Sequence, residues 1–196
     1  MKIRVALALV SAMLLSACGI NSVPTAEENA KAKWADVQAA YQRRADLIPN
    51  LVATVKGAAG SEDKILSDVI GARARATSVT LQPGDLSDAA KVQAYQSAQN
   101  QLGGSLSKLL VSVEAYPTLQ SQESFRMLIR EVAGTENRIN VRIEAYNGAV
   151  QAYNTRIRTF PDSIGATVFY GAKPMVPYQA KAGSDVAPTV DFGNGS

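Results

Sequence analysis

The stretch "SQESFRMLIREVAGTENRINVRIEAYNGAVQAYNTRIRTFP", Ser121 to Pro161, decides the fold. Its apolar seam runs Phe125, Leu128, Val132, Thr135, Ile139, Ile143, Tyr146, Val150, Tyr153, Ile157, Phe160. The steps are threes and fours with a mean of about 3.5, the spacing of helices that pack nearly parallel with knobs into holes. The spacing predicts one long helix from about Ser121 to Thr159, closed by Pro161. Asn140, Asn147 and Asn154 recur at seven residues beside the seam, and Tyr146 and Tyr153 lie in it.

Three shorter patterns precede it. Thr25-Ala26-Glu27-Glu28 reads as a capping box, followed by a seam at Trp34, Val37, Tyr41, Ala45, Ile48, Val52 and Val55. "KGAAGSED" breaks this seam, leaving open whether Ala58–Ser61 is a turn or part of one bent rod. A second seam runs Ile65, Val69, Ala72, Ala76, Val79. After "QPGD" a third helix is expected from near Asp85 to Tyr116, with Leu102, Leu106, Leu109, Val113 and Tyr116 in its seam. Gly103-Gly104 weakens that helix or permits a close contact. Four helices on short loops predict an all-α, antiparallel up-and-down four-helix bundle over residues 25–160. An irregular, Pro/Gly-rich tail over 161–196 follows. Its first half should dock through Ile164, Val168, Phe169 and Tyr178, and its last dozen residues should be mobile.

Seven of the eight prolines punctuate boundaries or irregular segments, but Pro49 falls inside the first seam, in "YQRRADLIPNLVATVKG". An interior proline costs a helix about 3 kcal/mol and leaves a carbonyl, here that of Ala45, without its donor. With the first and fourth helices antiparallel and Thr25 level with Phe160, Arg44 falls near Val141 and Pro49 near Glu136. The expectation is a polar network at that level. Asn137 or Arg138 would fill the gap, Arg43 or Arg44 would meet Glu136 or Glu144, and Asp46 would meet Arg138 or Arg142. Solvated surface charges worth about 0–1 kcal/mol each are the plainer alternative. The candidate interaction residues are Arg43, Arg44, Asp46, Pro49, Asn50, Glu136, Asn137, Arg138, Asn147 and Asn154.

The N-terminus has the layout of a secretory signal: Lys2 and Arg4, an apolar run from Val5 to Leu15, then small residues ending at Cys18. As a helix that run is about 16 Å, short against the roughly 30 Å of bilayer hydrocarbon. Leu15-Ser16-Ala17-Cys18 resembles the bacterial lipobox. That resemblance implies cleavage before Cys18, a diacylglycerol on its sulfur and acylation, as by palmitate, of the new amino group. Residues 1–17 are then the signal peptide and 18–24 a tether. The alternatives are an ordinary signal peptide or an uncleaved anchor with an incidental cysteine. Gly19 follows the cysteine, which by the bacterial sorting rule points to the periplasmic face of the outer membrane in a diderm cell, and otherwise to the plasma membrane.

Processing changes the charge. The whole chain is +3, and without Lys2 and Arg4 it holds 18 basic residues against 17 acidic. That balance gives no electrostatic case for nucleic acid. The single cysteine excludes an intrachain disulfide. With no histidine, neither a Ser-His-Asp or Cys-His arrangement nor a Glu-x-x-His di-iron site is possible. Glu27-Glu28 and Glu62-Asp63 sit at expected helix N-termini, where carboxylates complement the dipole. No cofactor, metal or enzymatic role is expected.

"YQRRADLIPNLVATVKG", "ARARATS" and "TENRINVRIEAYNGAVQAYNTRIRTFP" together resemble the LemA family, over Pro24 to about Tyr178. The resemblance implies a four-helix bundle on an N-terminal membrane anchor. It also implies an adaptor role beside another envelope protein, such as a membrane protease. No catalytic residue transfers. The chain departs from the family in carrying a lipobox where a transmembrane helix is usual, and in a tail reading Phe169 to Tyr178 unlike the usual "FGFKPxPYF". The expectation is a non-catalytic, lipid-anchored envelope protein acting by protein–protein contact, with its oligomeric state open. The alternative is a binding module for a peptidoglycan, lipid or small-molecule ligand, which a cavity lined by Tyr41, Tyr146 and the asparagine stripe would favour.

Overall fold

The computed structural model describes residues 21–59, 63–113 and 116–179. Among these it is all-helical, with no strand: α1 (Ser22–Ala59), α2 (Asp63–Ser78), α3 (Ala89–Val113), α4 (Pro117–Gln120), α5 (Glu123–Arg156) and α6 (Asp162–Val168). The signal segment, Cys18 and the end of the tail lie outside the described residues. No described helix is long and apolar enough to cross a membrane.

α1 starts earlier than the capping box implies. Pro24 sits in its first turn, where a missing amide costs nothing. Thr25 Oγ1 donates back to Asn21 O at 2.7 Å, so it does not cap. Glu27 and Glu28 instead flank Lys31 at 2.8 and 2.7 Å.

α3 starts later than expected. Pro83–Ser87 forms a 3-10 turn, in which the Gln82 amide donates to the Asp85 carboxylate at 3.1 Å. Asp88 then caps α3 by accepting from the amides of Ala90 and Lys91. α3 stops at Val113, and Pro117 opens the short α4, a position where proline is pre-organised.

α1 packs along α5, and α2 along α3. The ion pairs Asp36–Arg142 and Arg44–Glu136 show α1 and α5 running antiparallel. The α1 seam is buried as its spacing predicts, with Leu51 added at 0% exposure and Val52 only partly covered. The core divides into two clusters. One is aromatic, built on Trp34, Tyr41, Tyr95, Tyr146 and Tyr153. The other is mostly aliphatic, built on Ile48, Leu51, Val69, Leu102 and Leu109, with Phe125 and Val132 of α5.

The tail departs most from expectation. Residues 162–168 are helical, and Ile164, Val168 and Phe169 are exposed instead of docked. Phe160, the last residue of the predicted seam, is 81% exposed, because α5 ends at Arg156. Gly171, at φ 53°, makes the left-handed turn that sends the chain back along α5. Ala166, Met175 and Tyr178 carry the docking.

Candidate functional site

Three features meet midway along α1 and α5: a buried arginine, an extended segment over residues 173–178 and a groove. The arginine comes first. Arg44 is only 2% exposed. It donates to Glu136 Oε2 at 3.0 Å, and to the backbone and side-chain oxygens of Gln99 at 3.0 and 3.1 Å. Its guanidinium lies 4.9 Å from the centroid of the Tyr41 ring, and a Cβ on Gly103 would stand 3.6 Å from Nη1. Gln99 Nε2 in turn donates to Ala76 O at 3.1 Å. One cation thus links α1, α3 and α5, and Gln99 carries the link on to α2. Arg44 Nε itself is buried without a partner.

The Pro49 gap is filled from α2. Arg73 Nε of α2 donates to Ala45 O at 2.8 Å, the carbonyl that Pro49 cannot serve. The expected donors from α5 do not do this: Asn137 and Arg138 are exposed and take no part in the network. Arg44 does meet Glu136, one of its expected partners, although the helix levels placed it nearer Val141. Arg43 pairs with Glu131 at 2.9 Å on the surface. Asp46 accepts from Gln42 of its own helix at 2.7 Å, not from Arg138 or Arg142. Pro49 and Asn50 are exposed, and the Asn50 carbonyl accepts from Thr54 at 2.8 Å.

The extended segment explains two members of the asparagine stripe, Asn147 and Asn154. Asn147 donates to Tyr178 O at 2.9 Å and accepts from Tyr178 N at 2.7 Å. Asn154 does the same with Met175, at 2.8 and 2.9 Å. Each side chain pairs with a backbone as a neighbouring strand would. The spacing fits: seven helical residues rise about 10.5 Å, and three extended residues span about 9–10 Å. Tyr146 and Tyr153 hydroxyls donate to the carbonyls of Val176 and Lys173, and Val176 N donates to Leu86 O at 2.8 Å. The Tyr178 and Tyr41 hydroxyls meet at 2.5 Å. Burial pushes the hydroxyls of Tyr41, Tyr95, Tyr146 and Tyr178 above the ordinary tyrosine range.

The groove runs between α3 and α5, which do not pack closely on each other. It holds ≈ 1060 Å³ and takes its floor from Tyr41 and Arg44. Its walls are low because Gly104 on α3 and Gly148 on α5 have nothing within 4 Å of an added Cβ. The extended segment reaches it at Tyr178 and Gln179, and Asn140 stands on its wall, one heptad below Asn147. Tyr146 is not part of the lining, its hydroxyl being held by that segment. The backbone pairing of the extended segment and the roles of Gln99 and Arg73 are not legible in the sequence. The heptad spacing of Asn147 and Asn154 is a signal for the segment alone. No cluster of metal-ligating residues is found among the described residues.

The sequence profile of the LemA family matches residues 33–192. The chain is 28% identical over 181 residues to magnetosome proteins MamQ 1 and MamQ 2 of Paramagnetospirillum magneticum, covering 84% of this chain and 66% of each relative. It is 27% identical over 157 residues to magnetosome protein MamQ of Magnetospirillum gryphiswaldense, covering 72% of this chain and 58% of that one. The chain therefore spans two thirds or less of the length of these relatives.

Proposed function

The chain belongs to the LemA family, and from that premise we propose a membrane-associated, non-catalytic envelope adaptor that holds an extended segment of another envelope protein. We read its long helices as one antiparallel up-and-down bundle of four, and Cys18 as its lipid attachment point. The observation that carries the adaptor reading is the third rung of the asparagine ladder, which no described residue fills. Asn147 and Asn154 grip an extended segment by its backbone, and Asn140 offers the same amide on the wall of a groove that the segment has just entered. Backbone pairing of this kind gives affinity without fixing a sequence, as in strand addition to a sheet edge. Glu144 on the same wall favours a partner segment with basic side chains.

The test is in-cell photo-crosslinking from Ser107, exposed on the α3 wall, in the full chain with its own signal. We expect a band to a second protein that is lost with Asn140→Ala and with Gly104→Phe, a position where an added Cβ meets nothing within 4 Å and a ring would reach into the groove. A Cys18→Ser control should lose it as well. A crosslink only to residues 180–196 makes the groove self-occupied, and that result or no crosslink at all overturns the adaptor reading.

A further inference from the structure

α6 is amphipathic the wrong way round. Its buried positions are the small Gly165 and Ala166, whereas Ile164 and Val168, one turn apart on its outer side, are 54% and 69% exposed. Phe160 before the helix is 81% exposed, and Phe169 and Tyr170 after it are 65% and 41% exposed. Five of the nine large exposed hydrophobic residues of the described chain thus fall within eleven positions, 160–170. Contiguous apolar exposure of this kind marks a binding surface in a folded protein. Arg156, Arg158 and Lys173 are exposed beside it, with Asp162 held by Arg156 at 3.2 Å.

The position of this surface names its occupant. α6 packs on α1, and Ala166 shares a core cluster with Val23 and Ile157, at the end where α1 begins. Ser22 lies four residues after Cys18, so at most about 14 Å of chain separates this end from an acylated cysteine. We propose that the 160–170 surface is a bilayer-seating face: it inserts its apolar side chains into the headgroup boundary beside the anchor and stands α1 and α5 away from the membrane. The proposal rests on the anchoring reading of Cys18. Aromatic and aliphatic side chains flanked by cations suit that boundary.

The test uses the full chain, processed by its own signal and reconstituted in vesicles of phosphatidylethanolamine with a minority of phosphatidylglycerol, the acyl chains brominated. Phe169→Trp and Met127→Trp are compared above the background of Trp34, the single tryptophan, 1% exposed. Met127 is 54% exposed in the first turns of α5, at the opposite end. The expected result is roughly twofold or greater quenching at position 169, as for a side chain seated about 5–10 Å into the interface, and none at 127. No quenching at 169, or equal quenching at both, in a chain that floats with the vesicles and carries the acyl mass at Cys18 overturns the seating face and leaves the anchor standing. Quenching at 169 in a floating chain whose Cys18 is unmodified supports the face and removes the lipid anchor. A chain that does not float overturns both.

Discussion

The two halves of this molecule are held together by different physics. The aliphatic half joins helices through side chains with no polar demand, such as Leu51, Val69, Leu102 and Leu109. The aromatic half closes over non-helical chain. Trp34 and Gln38 donate to the carbonyl of Leu81, and Tyr146, Asn147, Tyr153 and Asn154 hold residues 173–178. A helix satisfies its own backbone, but an extended segment does not, so burying one demands side-chain donors and acceptors. Where an extended segment replaces a helix in the core, the sequence must spend asparagine and tyrosine; where it does not, leucine suffices.

The largest effects should come from the centres of the two halves. Trp34→Ala should cost about 3–5 kcal/mol and Leu51→Ala about 2–5 kcal/mol, from lost transfer free energy plus a cavity. Equilibrium urea unfolding measures both. Similar costs with unlike chemistry would sharpen the contrast, because only the aromatic half should also respond to its polar substitutions.

Arg44 stands at the border, and its asymmetry with Glu136 sets the next prediction. The arginine side chain is 3% exposed and the carboxylate 55%. Removing the acid leaves a buried cation, whereas Arg44→Met removes the charge itself. Glu136→Ala should therefore cost about 1–2 kcal/mol in the native background, allowing for solvent at the half-exposed carboxylate. In an Arg44→Met background it should cost about 0.5 kcal/mol or less. Swapping the two charges should not restore stability, since a carboxylate at position 44 would face the two oxygens of Gln99. Equal costs in both backgrounds would break the view of Arg44 as a buried brace.

The helices were legible because burial imposes a period, and a 3.5-residue seam through Trp34, Tyr41 and Ile48 or Phe125 to Ile157 has one structural solution. The Arg44–Glu136 meeting was within reach because two long antiparallel helices fix each other's level to about a turn. Arg73 was not, because its contact depends on where α2 lies relative to Ala45, and a short seam does not settle that. The tail misled for a different reason. Hydrophobicity alone ranks Ile164, Val168 and Phe169 above Met175, but Met175 and Tyr178 dock through backbone pairing to Asn154 and Asn147, which selects residues by register and not by size.

The ladder should give way in steps. Asn147→Ala or Asn154→Ala each removes two hydrogen bonds to the extended segment and should cost about 1–3 kcal/mol. Hydrogen exchange at the amides of Met175 and Tyr178 should rise while the exchange of Leu51 and Leu102 stays put. Loss of protection in both halves would break the comparison. Alkali probes the same half. The buried tyrosines have folded-state values raised above the unfolded value near 10, so their stabilisation is complete below about pH 10 and is lost as pH rises beyond it. Each contributes up to about 1.4 kcal/mol per pH unit there. Trp34 emission, reporting the aromatic half, should fall earlier in an alkaline titration than the far-ultraviolet helix signal, and Tyr146→Phe should delay it.

The smallest effect concerns the proline. Pro49 leaves Ala45 O without its helical donor, and Arg73 Nε supplies one from α2. A charged donor to a buried carbonyl is worth about 1.5–3 kcal/mol, so Arg73→Met should cost near the lower end, the site being partly buried. In a Pro49→Ala chain the new amide at position 49 can serve the same carbonyl, and Arg73→Met should then cost about 0.5 kcal/mol or less. The difference between those two costs is the coupling between the proline and the arginine, read by a double-mutant cycle. A coupling near zero means the carbonyl takes both donors at once, and Pro49 then has no structural tie to α2. A coupling of about 1 kcal/mol means the proline exists to hand a backbone acceptor to a neighbouring helix, which ties the border of the two halves to α2 as well as to α5.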